Sequence, residues 1–184
     1  SSSIIHPTAI IEDGAKIGNS CKIGPYCCIG STVTLDDNVI LESHVTISGK
    51  TFIGKGTKVW PFASIGSDPQ DLKYFGEKTA LTIGQNNLIR ECVSISIGTA
   101  GGGGNTNIGD NCLFMLGSHV GHDCKLGSNI VIANNSAIAG HVVIEDNVNI
   151  GGLVGVHQFC RLGEGSMIGC LLYTSDAADE RLSV

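Results

Sequence analysis

The sequence predicts an all-β fold of the parallel β-helix type, and three observations support this prediction. An aliphatic or aromatic residue recurs at every sixth position over most of the chain, and a small or medium residue stands two positions before it. This spacing of two places both side chains on one face of an extended strand. Glycine often follows the sixth-position residue, where we expect it to supply the positive φ of a tight corner. Each hexad therefore predicts a very short strand closed by a bend, which is the hexapeptide signature of a parallel β-helix.

The first run of the repeat occupies residues 5–65 and is unbroken. Three hexads are expected to close into one triangular coil of eighteen residues, and successive coils are expected to stack at ~4.8 Å. Such a solenoid buries one continuous core although each coil contacts only its neighbours. The sixth-position residues of this run are Ile5, Ile11, Ile17, Ile23, Ile29, Leu35, Leu41, Ile47, Ile53, Val59 and Ile65.

Two external loops are predicted where the repeat breaks. Between Ile65 and Ile83 the expected apolar positions hold Asp71 and Glu77, so residues 70–77 are expected to leave the sheet. Between Ile95 and Ile108 the interval is thirteen, and residues 99–106, which include four consecutive glycines, supply the insertion. A flexible excursion is the preferred interpretation of this glycine-rich segment, because no helix start follows it as a phosphate-binding loop would require. Loops that interrupt a strict repeat commonly carry function.

The second run of the repeat brings several histidines together. Val120, Ile138 and Val156 are eighteen residues apart, so they are expected to lie on one side of three successive coils. His122, His141 and His157 follow these residues closely, and His119 precedes the first, which predicts one corner ridge carrying all four. The sixth-position residues here are Ile108, Phe114, Val120, Leu126, Ile132, Ile138, Ile144, Ile150, Val156, Leu162 and Ile168.

Acid–base chemistry is the function that this ridge suits best. Imidazole titrates near neutral pH, and Asp123 adjoins His122 in sequence, although spacing alone leaves open whether the carboxylate orients the ring. Two alternatives stand beside it. The histidines could decorate a surface ridge without a function, or they could bind zinc, which needs three or four ligands in tetrahedral geometry. No such ligand pattern is present, and we predict no metal site.

Composition excludes several other classes of protein. The net charge is −6 and the basic residues are scattered, which argues against a nucleic-acid surface. No apolar run approaches the length of a membrane-spanning helix, so a cytoplasmic location is expected. Five of the eight cysteines occupy small-residue slots of the repeat and are expected to fill the core rather than form disulfides or bind metal. These five are Cys21, Cys27, Cys112, Cys124 and Cys160.

Seven short motifs occur together in this chain. They are His-Val-Gly-His-Asp-Cys at 119–124, Ala-Asn-Asn-Ser at 133–136, Ala-Gly-His-Val at 139–142, Ile-Gly-Gly at 150–152, Val-His-Gln-Phe-Cys at 156–160, Gln-Asp-Leu-Lys-Tyr at 70–74 and Ile-Arg-Glu at 89–91. In these motifs the chain resembles one family of hexapeptide enzymes, the acyl carrier protein-dependent UDP-N-acetylglucosamine O-acyltransferases that begin lipid A synthesis. The resemblance covers about residues 4–169 and implies a left-handed helix with a helical carboxyl-terminal domain that is missing here.

The resemblance implies a reaction and a set of site residues. A 3-hydroxyacyl group would pass from acyl carrier protein to the 3-hydroxyl of UDP-N-acetylglucosamine, with no metal or other cofactor. His122 matches the general base, Asp123 its supporting carboxylate and Gly140 the backbone N–H that stabilises the oxyanion. The residues that match substrate contacts are Gln70, Asp71, Lys73, His119, His141, His157 and Gln158.

The resemblance also implies a homotrimer whose active sites lie between neighbouring chains. The first excursion of one chain would then face the histidine ridge of another. Two alternative functions remain: the N-acyltransferase that acts later in the same pathway on an amine, and a non-catalytic β-helix module. The motifs at 70–74 and 156–160 favour the O-acyltransferase.

Two segments depart from the family pattern. Ser96 and Ile97 stand where many members carry a histidine or asparagine followed by an arginine, which puts an acyl or sugar contact there in doubt. The repeat also ends after Gly169, and the segment from Cys170 resembles the translation of a sequencing adaptor. The expected organisation is therefore an acyltransferase domain at residues 1–169 and a non-native tail at residues 170–184.

Overall fold

The computed structural model describes residues 2–174, which form a three-sided prism of short parallel strands. Sheet A comprises Ile4–Ile5, Lys22–Ile23, Ile40–Leu41, Lys58–Val59, Leu88–Ile89, Leu113–Phe114, Val131–Ile132, Asn149–Ile150 and Met167–Ile168. Sheet B comprises Ile10–Ile11, Cys28–Ile29, Thr46–Ile47, Ser64–Ser67, Ser94–Ser96, His119–Val120, Ala137–Ile138, Gly155–Val156 and Tyr173–Thr174. Sheet C comprises Lys16–Ile17, Thr34–Leu35, Lys50–Ile53, Ala80–Ile83, Asn105–Ile108, Lys125–Leu126, Val143–Ile144 and Arg161–Leu162.

Each strand pairs with the strand that occupies the same place one coil later. Ile29 pairs with Ile47 in sheet B, and Val120 pairs with Ile138, as the eighteen-residue coil requires. Sixth-position residues from Ile23 to Leu162 point inward and form one continuous buried core. The prediction of an all-β, left-handed parallel β-helix is confirmed.

The corner glycines have a different cause from the one predicted. Gly109 and Gly127, which follow sixth-position residues, are not among the positive-φ residues. A Cβ atom on Gly109 would lie 2.5 Å from the carbonyl oxygen of Gly127 on the next coil, so glycine is required by the close approach of the coils. The positive φ angles occur two residues after this glycine position, at residues such as Asn129 (58°) and Asn147 (61°). Asparagine tolerates this left-handed conformation better than most residues do.

Both excursions leave the prism at the corner between sheets B and C. The first runs from the end of Ser64–Ser67 to the start of Ala80–Ile83, and Leu72 and Phe75 on it are almost fully exposed. The second contains the 3₁₀ turn Ala100–Gly102, and it is shorter than predicted. Asn105 and Thr106 have already rejoined sheet C, where Thr106 pairs with Leu81 and is fully buried. Within residues 2–174 that turn is the one helical element, and it is far too short to cross a bilayer.

The cysteines follow the repeat closely. Cys21, Cys27, Cys112 and Cys124 are buried, as the core-filling prediction requires, and Cys160 is partly buried against the core. Near the end of the described chain, Tyr173–Thr174 pairs with Gly155–Val156 in sheet B. Of the predicted tail at 170–184, residues 175–184 lie outside the described residues.

Candidate active site

A left-handed corner places two chemically active side chains next to each other. Val120 points into the core, the chain turns, and Cys124 points into the core again, so His122 and Asp123 occupy the turn between them. Asp123 has φ of 61°, a conformation that aspartate adopts more readily than most residues. The side chain of His122 is 7% exposed and that of Asp123 is 0% exposed. The turn therefore presents an imidazole that solvent barely reaches, backed by a fully buried carboxylate.

The two side chains form a hydrogen-bonded pair. His122 Nδ1 lies 2.8 Å from Asp123 Oδ2. An ionised carboxylate can only accept hydrogen bonds, so Nδ1 is the donor of this bond, and in the neutral ring Nε2 then keeps its lone pair. His122 Nε2 lies 4.0 Å from Oδ2 of Asp71, which belongs to the first excursion of the same chain. Within one chain the loop thus folds back over its own corner and brings Asp71 to His122. That the excursion also faces the ridge of a neighbouring chain stays a prediction.

Two threonines that the sequence did not single out hold Asp123 in place. Thr99 donates its backbone N–H to Oδ1 at 2.8 Å and its hydroxyl to Oδ2 at 2.6 Å. Thr106 Oγ1 accepts the backbone N–H of Asp123 at 2.9 Å. The sequence separation of Thr99 and Asp123 is not a multiple of the coil length, so the repeat carried no signal for this contact.

The coil register stacks further groups on His122. Gly140 lies over the ring so closely that a Cβ atom there would be 2.5 Å from His122 Cε1. The rings of His122 and His141 meet edge to face with centroids 4.9 Å apart, and His141 stacks on Phe159 at 4.4 Å. Phe159 follows His141 by one coil, so the eighteen-residue spacing was the signal that could have identified it.

Other predicted site residues lie outside this cluster. His119, His157 and Gln158 line a groove of about 410 Å³ on sheet B, because His119 and His157 flank inward-pointing valines and therefore face outward from that sheet. The predicted ridge is thus only partly correct: His122 and His141 are in ring contact, whereas His157 lines the groove. Gln70 and Lys73 are exposed on the first excursion, where the backbone N–H of Lys73 donates to Asp71 Oδ1 at 2.9 Å.

His119 adjoins the cluster electrostatically. Burial holds the pKa of His119 below the ordinary histidine value, and the nearby His122 acts in the same direction, whereas a hydrogen bond from the His119 ring to the backbone of Ser94 partly offsets them. Its Nδ1 lies 2.6 Å from Ser94 Oγ. A neutral His119 can donate a hydrogen bond to a polar ligand in the groove or accept one from it.

The cluster offers one set of ligand atoms to a metal ion among the described residues. Those of His122, Asp123 and His141 lie within 4.8 Å of one another. Ligands of a tetrahedral zinc ion with bonds of about 2.0–2.1 Å are separated by roughly 3.3 Å. Because His122 Nδ1 and Asp123 Oδ2 already share a hydrogen bond at 2.8 Å, an ion bound there would have to displace it.

Sequence comparison connects the fold to known enzymes. The family description "Bacterial transferase hexapeptide (six repeats)" matches residues 14–49 and 105–140. The acyl-(acyl-carrier-protein)–UDP-N-acetylglucosamine O-acyltransferase of an Anaeromyxobacter species is 60% identical over 167 residues, which cover 91% of this chain and 65% of that protein. The chain thus spans less than two thirds of the length of this curated relative.

Solved structures agree with the sequence relatives. A crystal structure of UDP-N-acetylglucosamine acyltransferase superimposes with a TM-score of 0.93 at 48% identity, covering 95% of this chain and 68% of that one. The structure of LpxA from Acinetobacter baumannii gives a TM-score of 0.92 at 47% identity, covering 94% and 67%. Because the chain is almost half identical to these two proteins and covers about two thirds of the length of each, it belongs to the acyl-(acyl-carrier-protein)–UDP-N-acetylglucosamine O-acyltransferase family.

Proposed function

We propose that this chain is the catalytic β-helix of an enzyme that transfers a 3-hydroxyacyl group from acyl carrier protein to the 3-hydroxyl of UDP-N-acetylglucosamine. This reaction is the first step of lipid A biosynthesis. The observation that carries the proposal is the buried pair of His122 and Asp123, because a neutral ring that donates from Nδ1 to the carboxylate keeps its Nε2 lone pair for a substrate proton. Relatives that carry the corresponding name supply the substrate class.

The proposed mechanism uses His122 as a general base. Nε2 takes the proton of the sugar 3-hydroxyl while that oxygen attacks the thioester carbonyl, and Asp123 stabilises the imidazolium that forms. As negative charge develops on the carbonyl oxygen, this oxygen accepts a hydrogen bond from the backbone N–H of Gly140. When the tetrahedral intermediate collapses, the carbon–sulfur bond breaks, and the carrier thiolate takes the proton from Nε2. The base is thereby restored without a covalent enzyme intermediate.

The remaining predicted residues are assigned to substrate binding. Asp71 lies near Nε2, where it can accept a hydrogen bond from a sugar hydroxyl, and Gln70 and Lys73 extend the same loop. His119, His157 and Gln158 line the groove on sheet B, and the ring of His141 meets that of the base edge to face. Acyl carrier protein as donor, a homotrimeric assembly and a cytoplasmic location are part of the same proposal.

Replacing the base tests this function directly. His122→Asn is expected to lower kcat for acyl transfer to UDP-N-acetylglucosamine by about 10²–10⁴-fold, the range for a lost general base, with KM changed only a few-fold. His44→Asn is the matched control, since His44 is an exposed histidine stacked between Tyr26 and Phe62 at another corner.

A second acceptor separates the candidate reactions. Each variant is assayed in parallel with UDP-3-O-acyl-glucosamine, whose free amine is the acceptor of the related N-acyltransferase. If the acyl group were transferred only to the amine, the proposed acceptor would be wrong and the chain would be assigned to the N-acyltransferase reaction. A wild-type rate in His122→Asn would remove the base assignment, and absence of transfer to either acceptor by the wild-type chain would refute the proposed activity.

A further inference from the structure

We infer that Thr99, on the glycine-rich excursion, is a positioning residue for the base: its hydroxyl fixes the carboxylate of Asp123 and through it the tautomer of His122. This inference rests on the proposed function, which makes His122 the base. It assigns a purpose to the second excursion, whose sequence suggested only a flexible loop.

The two hydrogen bonds from Thr99 determine where the carboxylate lies. The hydroxyl of Thr99 and Nδ1 of His122 both contact Oδ2 of Asp123, at 2.6 Å and 2.8 Å. The backbone N–H of Thr99 holds the other oxygen, Oδ1, at 2.8 Å. The oxygen that orients the imidazole is therefore itself held by the threonine hydroxyl. Without the hydroxyl, Thr99 holds the carboxylate only by the hydrogen bond from its backbone N–H to Oδ1, and the carboxylate can rotate. The imidazole then loses an acceptor of fixed position.

Thr99 is itself held in place by the excursion. Its Oγ1 accepts the N–H of Gly102 at 3.2 Å, and its carbonyl oxygen accepts the N–H of Gly104 at 2.8 Å. The hydroxyl proton is consequently available for Asp123 while the oxygen lone pair caps the 3₁₀ turn. Thr99 is 6% exposed, so water has little access to these bonds.

The glycines of the excursion complete the enclosure. A Cβ atom on Gly102 would lie 2.0 Å from Cγ of Asp123, so only glycine permits the loop to close over the carboxylate. The result is a carboxylate that neutral donors hold in a buried site, where electrostatic interactions are stronger than in water. A carboxylate in this environment gains more from each donor than an exposed one would.

The test compares two substitutions of Thr99 with a matched control. Thr99→Val keeps the shape and removes the hydroxyl, whereas Thr99→Ser keeps the hydroxyl. Thr57→Val removes another buried threonine hydroxyl, which bonds to the carbonyl of Gly84 at 3.2 Å at a corner remote from His122. Circular dichroism verifies folding, and Thr99→Ala replaces Thr99→Val if the valine prevents it.

The first readout is ¹⁵N NMR of the His122 ring in the substrate-free chain, which needs no activity. Thr99→Val is expected to reduce the population of the Nδ1–H tautomer, whereas Thr99→Ser and Thr57→Val are expected to retain it. The second readout is acyl transfer, in which Thr99→Val is expected to lower kcat by about ten- to a hundredfold with little change in KM, and Thr99→Ser to restore most of the rate.

Each outcome decides a separate question. A wild-type tautomer population in Thr99→Val would overturn the positioning role whatever the activity. A shifted tautomer in a chain that acylates neither acceptor would support the role of Thr99 and refute the proposed function. An equal loss of kcat in Thr99→Val and Thr57→Val, with the tautomer unchanged in both, would reduce Thr99 to a structural residue.

Discussion

At the scale of single residues, the site depends on one corner in which neighbouring positions of the chain have different tasks. Val120 and Cys124 anchor the corner in the core, and this leaves His122 and Asp123 in the turn between them. Asp123 combines a left-handed φ with the role of hydrogen-bond acceptor for the imidazole. The same carboxylate oxygen lies 3.9 Å from Nδ1 of His141 on the next coil. The geometry of the base is therefore set by backbone conformation as well as by side-chain contacts.

Gly140 provides a residue-scale prediction. Gly140→Ala places a methyl group 2.5 Å from His122 Cε1, so the ring must shift away from its position. We expect kcat to fall roughly a hundredfold, the cost of a displacement of about 1 Å at a reacting group, while the fold is retained. Steady-state kinetics and circular dichroism measure the two effects.

Gly152→Ala is the matched control, because Gly152 holds the equivalent corner position after Ile150. Its added Cβ would meet nothing closer than the Asn134 carbonyl oxygen at 3.5 Å. This variant is expected to keep a rate within a few-fold of wild type. Equal rates for the two alanine variants would show that Gly140 is not needed to seat the imidazole.

At the scale of elements, the two excursions are joined into one wall beside the base. The backbone N–H of Ala80 donates to Gly104 O at 2.9 Å, and that of Gly98 donates to Ala80 O at 3.0 Å. The N–H of Ala100 also donates to Glu77 Oε1 at 3.4 Å. These hydrogen bonds join the two excursions where they leave the prism. Asp71 on the first excursion and Thr99 on the second are therefore positioned together.

The corners are the second kind of element, and they yield a stability prediction. Leu153 has φ of 55° and is 57% exposed, so it adopts the left-handed conformation without burying much of its side chain. For most residues this conformation costs about 1–2 kcal/mol, and for asparagine the cost is lower. Leu153→Asn is therefore expected to raise the free energy of unfolding by about 1 kcal/mol in guanidinium chloride denaturation.

The reciprocal substitution is the control for this corner. Asn129 has φ of 58° and donates to Asn147 Oδ1 at 3.2 Å. Asn129→Leu is expected to lower the free energy of unfolding by an amount of similar size. If Leu153→Asn destabilised the protein, side-chain contacts rather than backbone conformation would govern these corners.

At the scale of the whole molecule, one core runs along the prism and the buried cysteines belong to it. Burial raises the pKa of Cys112 to about 11 and that of Cys124 to about 12. The Cys124 thiol lies 3.0 Å from the carbonyl oxygen of Ala139 on the next coil. These thiols contribute to packing, and the proposed mechanism uses none of them.

Thiol alkylation tests this assignment. At pH 8 only about one Cys112 in a thousand would be a thiolate, and fewer of Cys124, so both react slowly for electrostatic as well as steric reasons. Iodoacetamide treatment of the folded chain, followed by mass spectrometry, is expected to modify the exposed Cys28 and Cys92 and to spare Cys112 and Cys124. Labelling in denaturant is the control and is expected to modify all four. Rapid modification of Cys124 in the folded chain would contradict a closed core.

Much of the fold was predictable because a strict period fixes which side chains point inward. The period of six, the coil of eighteen and both interruptions follow from residue spacing, and the register then placed His141 beside His122, whereas Gly140 was assigned only through the family resemblance. The role of the corner glycines was mistaken, because spacing does not distinguish a positive φ from a close approach between coils. The position of His157 was only partly predicted, because one residue of difference moves a side chain from the corner to the adjoining sheet.

The sequence by itself determined the solenoid, its core and the adjacency of His122 to Asp123. Only the tertiary structure decided what surrounds that pair, since Asp71 and Thr99 come from excursions that have no period and therefore no register to extrapolate. Repeated coils repeat their contacts, so one hexad predicts the next. An inserted loop meets the prism wherever its own hydrogen bonds direct it, and those bonds join residues whose spacing follows no repeat.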